Sequence, residues 1–313
     1  MCNRLSFTRN CLVGLCMIAV LALGVVRSPA SAADLLTGAI PLNPTAASVS
    51  DQNLLIGQLK AAGVRTICVA LTDDTVRIAF AKRAYDQGIT IEALVERQFR
   101  TREMGPNSVL ANWGNLPLAS IDPVLSKSSF HNMLDKLEAD GVVLAGLELG
   151  NEINWTGINP VFPAGAYGKI FNFDDLHTDP RAAQLAAGLR QYVKVLAVLK
   201  DVRDRSALNR NTPIISAGLS TVGPAGTQSD FFTQHGYALT ISAALTFVRE
   251  NGLDRIVDGY GIHYYPDANS TADGRQRRMD AFAVSQCRAP GASVGKPCWM
   301  TEWGSAIATC LAR

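Results

Sequence analysis

Seven short apolar runs, separated by longer amphipathic stretches, limit more than any other feature what this chain can fold into. The runs are LLTGAI (35–40), RTICVAL (65–71), ITIEALV (89–95), VVLAGLEL (142–149), TPIISAGL (212–219), IVDGYGI (256–262) and PCWMTE (297–302). Each has the length of a strand, and the stretches 51–62, 75–87, 128–139, 180–202, 239–250 and 272–285 read as helices between them. Such alternation argues for parallel βα units rather than a sandwich, because parallel neighbours need a crossover that a helix supplies. The expected fold is therefore α/β, of the (β/α)8 TIM-barrel type. Past Gly304 only nine residues remain, whereas barrels of ~250 residues need roughly 40 to 60 more for an eighth unit. The expectation is a barrel incomplete at its C-terminus, with seven of eight strands.

The first 32 residues read as a signal peptide rather than as part of this fold. Arg4 and Arg9 precede an apolar run from Cys11 to Val26, and Ala30-Ser31-Ala32 has the small-x-small form of a cleavage site. Export to a periplasm or the extracellular space is implied. No later segment reaches the roughly 18 apolar residues of a membrane span, so no membrane association is expected after cleavage. Residues 33–313 contain no linker, repeat or low-complexity segment and read as one domain.

Losing Arg4, Arg9 and Arg27 takes the formal charge from +2 to −1, and the basic clusters at Arg97–Arg102 and Arg275–Arg278 are short and interrupted. A nucleic-acid partner is therefore not expected. Cys68 lies within an apolar run and reads as a buried thiol, while Cys287 and Cys298 flank a Gly/Pro-rich loop and either pair in an oxidising compartment or stay free. There is no C-x-x-C, and His131, His177, His235 and His263 do not have metal-site spacing, so neither metal nor cofactor is expected. The serine-elbow, H-E-x-x-H, G-x-G-x-x-G and phosphate-loop patterns are also absent.

Chemistry concentrates where strands end. The fourth run leads into Gly150-Asn151-Glu152, the sixth into His263-Tyr264-Tyr265-Pro266, and the seventh closes on Glu302-Trp303-Gly304. Two carboxyl groups about 5 Å apart on either side of a glycosidic bond are what a retaining glycosidase requires. Glutamates 150 residues apart meet only if a barrel brings the fourth and seventh strands across its mouth. Glu148 shares a face with Glu152 by alternation, and a structural salt bridge is expected for it; Tyr264, opposite in sense to Tyr265, reads as packing. The loop aromatics Trp113, Trp155, Phe162, Tyr167, Phe171 and Phe173 either stack on a ligand or pin long loops to the barrel.

These motifs, in this order, resemble the clan-A glycoside hydrolases, retaining enzymes built on a (β/α)8 barrel. The resemblance rests on Asn151-Glu152, on His263-x-Tyr265 and on Glu302-Trp303-Gly304, and it spans most of the chain. It implies Glu152 as acid and then base, Glu302 as nucleophile, and Asn151 as a donor to the sugar 2-hydroxyl. It further implies that Tyr265 holds Glu302, that His263 lines the first subsite and that Trp303 supports the pocket floor. The implied partner is a carbohydrate substrate; a non-catalytic carbohydrate-binding barrel is the alternative. The sugar, the linkage and the oligomeric state are not encoded in these motifs.

Overall fold

In the computed structural model, residues 38–39, 44–100, 116–155, 170–220, 238–265 and 271–303 are described. The expected signal peptide, Trp113, Phe162, Tyr167, His235, Pro266, Gly304 and Cys310 lie outside the described residues. The seven apolar runs each yield a strand of one parallel sheet: β1 (Gly38–Ala39), β2 (Thr66–Leu71), β3 (Thr90–Val95), β4 (Gly146–Leu149), β6 (Ile214–Ser216), β8 (Gly259–Tyr264) and β9 (Cys298–Trp303). Two further strands, β5 (Ile170–Phe171) and β7 (Ala238–Leu239), pair with each other in a separate two-stranded sheet.

In the main sheet the order in space is the order along the chain, and every pairing is parallel. A doubly wound sheet would reverse its order partway, so this is the winding of a (β/α)8 barrel, with seven strands among the described residues. The helices are α1 (Val49–Ala61), α2 (Thr75–Asp86), α3 (Pro123–Ala139), α4 (Asp175–Thr178), α5 (Ala183–Asp204), α6 (Ile241–Glu250) and α7 (Ala272–Ser285). Among the described residues, no helix is long and apolar enough to cross a membrane.

Alternation along the strands sorts the interior. Ile67, Val69 and Leu71 of β2, Ile91, Ala93 and Val95 of β3, and Leu147 and Leu149 of β4 join Phe80, Phe130, Leu134, Leu196 and Phe247 of the helices in one core. At about 1.5–3 kcal/mol for each large side chain removed from water, this face holds the helices on the sheet. The residues between them, Cys68, Glu92 and Glu148, turn the other way and are also buried.

Element boundaries shift where side chains take over the backbone's hydrogen bonds. The third helix starts at Pro123 rather than near residue 128, because Asp122 caps Val124 and Leu125 and Pro123 needs no donor. The fourth strand is shorter than its apolar run, since the Leu144 amide donates to Asn209 Oδ1. Cys287 and Cys298 are disulfide-bonded with Cα atoms 5.6 Å apart, and Cys68 is free and buried.

Candidate active site

Glu152 reaches its position through an unusual backbone. Gly150 ends β4 with φ +76°, and two residues later Glu152 itself has φ +42°, the only non-glycine residue with positive φ among those described. A side chain there costs roughly 1–3 kcal/mol unless its surroundings enforce it. Three contacts do so. The Glu152 amide donates to Gly218 O (2.9 Å), the Trp155 indole Nε1 donates to Glu152 Oε2 (3.0 Å), and His263 Nδ1 lies 3.1 Å from Glu152 Oε1. Asn154, fully buried, ties the same turn to the neighbouring strand ends through Ser220 N, Ser220 O and Leu239 O.

Glu302 arrives by a different device. Ile262 of β8 pairs with Met300 of β9, but His263 pairs with Glu302, so a β-bulge leaves Thr301 without an opposite number. In unbroken register Glu302 would oppose Tyr264 and leave the face His263 occupies. The bulge brings Glu302 Oε2 to 3.7 Å from His263 Nδ1, while the Tyr265 hydroxyl hydrogen-bonds Glu302 Oε1. Burial, the bond to Glu302 and the nearby carboxylates push the Tyr265 phenol pKa upward, so it remains a donor at ordinary pH.

The assembled group is Glu152, His263 and Glu302, each contributing one atom within 4.8 Å of the others. The two carboxylates are part exposed and the imidazole is nearly covered, with side-chain exposures of 18%, 26% and 2%. Gly218 makes room for that ring: a Cβ there would stand 2.2 Å from His263 Cδ2. Sequence-predicted Asn151 is half-buried beside Glu152. Trp303 closes β9 and is 61% exposed. His263 is buried, with Nδ1 within reach of both glutamates.

Glu148 departs from its expectation. Among the described residues it forms no salt bridge; its Oε1 accepts from Gly218 N (2.7 Å) and Thr301 Oγ1 (3.1 Å). Complete burial, followed by the charge of Glu92, holds its carboxyl well above the usual carboxylate range. Tyr264 packs edge-on against Phe282, as alternation predicted. Trp155, Phe171 and Phe173, the loop aromatics that are described, pack into the protein rather than standing free for a ligand. Trp155, Asn154 and Gly218 are the site residues that motif reading missed as such.

No protein-family model and no curated protein matches the chain. Solved structures similar to it include the β-glucuronidase of Bacteroides uniformis, at 11% identity and a TM-score of 0.45 over 86% of this chain. A structure of two fungal β-1,4-galactanases aligns at 17% identity and a TM-score of 0.42 over 78% of the chain. The GH53 catalytic domain of Ignisphaera aggregans aligns at 18% identity and a TM-score of 0.32 over 68%. The aligned region amounts to 25% of the glucuronidase chain, 69% of the galactanase and 52% of the GH53 domain. Similarity at this level concerns the path of the backbone and fixes no chemistry.

Proposed function

We propose that this chain is a retaining glycoside hydrolase acting on β-linked sugars, with Glu152 as acid/base and Glu302 as nucleophile. The observation that carries the reading is the separation of the two carboxylates, which approach within 4.8 Å through one oxygen each. Retaining enzymes hold their carboxyl groups about 5–5.5 Å apart; inverting enzymes need about 6.5–9.5 Å to admit a water between acid and sugar. The distance supports attack by the protein itself.

In the first step Glu302 attacks the anomeric carbon, the glycosidic C–O bond breaks, and Glu152 gives its proton to the departing oxygen. Water then attacks the same carbon, surrendering a proton to Glu152 and releasing Glu302. Tyr265 orients the nucleophile through Oε1, leaving Oε2 for the sugar. His263 Nδ1 suits both states of Glu152, since imidazole accepts from a carboxyl in one tautomer and donates to a carboxylate in the other. Asn151, next in chain to Glu152, is assigned to the sugar 2-hydroxyl, where a hydrogen bond that strengthens as positive charge develops lowers the barrier. Action outside the cytoplasm belongs to the same proposal and is supported by the Cys287–Cys298 disulfide.

The test is intact-mass electrospray of protein incubated with a panel of activated 2-deoxy-2-fluoro β-glycosides. The expected result is a gain of one fluoroglycosyl unit, absent from Glu302→Gln. Folded protein that gains no adduct from any sugar, yet binds oligosaccharide equally well with and without the Glu302→Gln change, would assign a carbohydrate-binding barrel instead.

A further inference from the structure

Beneath the candidate active site, Cys68, Glu92 and Glu148 come from three successive strands, and each offers one atom within 4.8 Å of the other two. Cys68 and Glu92 are register partners across β2 and β3, and Glu148 follows on β4 opposite Leu94. All three are buried, with exposures of 7%, 8% and 2%. Glu92 Oε1 has no hydrogen-bond partner despite this burial. Among the described residues, no lysine, arginine or histidine forms an ion pair with Glu92 or Glu148. A buried carboxyl with an orphaned oxygen leaves a polar group unsatisfied, a cost that a bound cation would remove.

We infer that Cys68, Glu92 and Glu148 form a binding site for a soft divalent cation of the zinc and cadmium type, separate from the catalytic pair. The donor set selects the metal class: one thiolate with two carboxylates suits zinc or cadmium, whereas magnesium and calcium favour shells made only of oxygen. Zinc bonds of about 2.0–2.3 Å place neighbouring ligand atoms about 3.3–3.7 Å apart, so the three atoms need close by at most about 1.5 Å. Glu148 is already oriented, because Gly218 N and Thr301 Oγ1 hold its Oε1 and leave Oε2 for the ion. Gly261 keeps the space open, since a Cβ there would stand 2.8 Å from Glu148 Oε1. On binding, the thiol proton and any carboxyl protons leave to solvent, and metal–sulfur and metal–oxygen bonds form without any change of oxidation state.

The full chain is titrated with cadmium chloride while the ultraviolet cadmium–thiolate charge-transfer band is followed, and zinc is then added to displace it. Wild type is expected to develop the band and lose it to zinc. Cys68→Ser removes it, Glu92→Gln weakens the apparent affinity by about tenfold or more, and Glu302→Gln leaves it unchanged. Retention of the band by folded Cys68→Ser, unaltered affinity in Glu92→Gln, or no band in wild type would each overturn the assignment. If Cys68→Ser does not fold, the near-isosteric Glu92→Gln decides alone. Loss of the band in Glu302→Gln would show that the ion is not held by Cys68, Glu92 and Glu148 independently of the catalytic pair, which likewise overturns it. The glycosidase reading is untouched by any of these results, because it is read from sugar adducts.

Discussion

At the scale of single residues, the acid/base candidate is held through both of its carboxyl oxygens. Trp155 Nε1 serves Glu152 Oε2, and His263 Nδ1 lies against Oε1. A hydrogen bond to a charged group contributes about 1.5–3 kcal/mol, and a buried indole packs whether or not it donates. Trp155→Phe is therefore expected to lower kcat by about tenfold to a hundredfold, with a smaller change in KM. An unchanged kcat would show that the indole N–H does not orient Glu152. That Glu152 and Glu302 come together was legible in the sequence, because both stand at the ends of strands that a barrel brings to one mouth. The work of Trp155 was not, because it depends on the positive φ at Glu152, which no composition or period encodes. Gly218 was equally hidden, since its role is to be small next to a ring 45 residues away.

At the scale of elements, β9 carries the nucleophile candidate while packing less than its neighbours. β8 is buried at every position, whereas in β9 only Thr301 is buried. Among the described residues β9 pairs with β8 alone, and the Cys287–Cys298 disulfide fastens its first residue to the start of the chain segment following α7. With the two cysteines 11 positions apart in sequence, the chain-entropy account assigns the cross-link about 3 kcal/mol. The double variant Cys287→Ala/Cys298→Ala is expected to lose about that much in urea unfolding, and reductant is expected to destabilise wild type but not the variant. Equal stability of the two proteins would show that β9 is held by pairing alone. The strand itself was legible from its apolar run, and the cysteine spacing left pairing open. The bulge at Ile262/His263 was not legible, because a register shift is decided by contacts between two strands rather than by the pattern of either.

At the scale of the whole molecule, one periodic pattern decides the winding and another leaves a charge problem inside it. Alternating apolar runs and helices encode the strand order, so the barrel winding was legible without any contact being known. The same alternation turns Glu92 and Glu148 toward the face away from the helices, and nothing in it says what they will meet. What they meet is burial: the Glu92 carboxyl is pushed up to about 7, and Glu148 is raised well above its ordinary 4.5. An acid with a raised pKa holds its proton in the folded chain at pH values where the unfolded chain has released it. Its contribution to stability is thus complete below the unfolded value of 4.5 and is lost as pH rises through about 7. For Glu92 that loss amounts to roughly 3 kcal/mol between about pH 4.5 and pH 7, at about 1.4 kcal/mol per pH unit. Glu92→Gln, which cannot ionise, is expected to lack this slope, so the stability difference between variant and wild type should grow in the variant's favour across that window. Urea unfolding at a series of pH values, with chelator present to keep the buried cluster free of metal, measures it directly. Parallel pH profiles for the two proteins would mean that Glu92 titrates alike in both states and that its burial is relieved in solution.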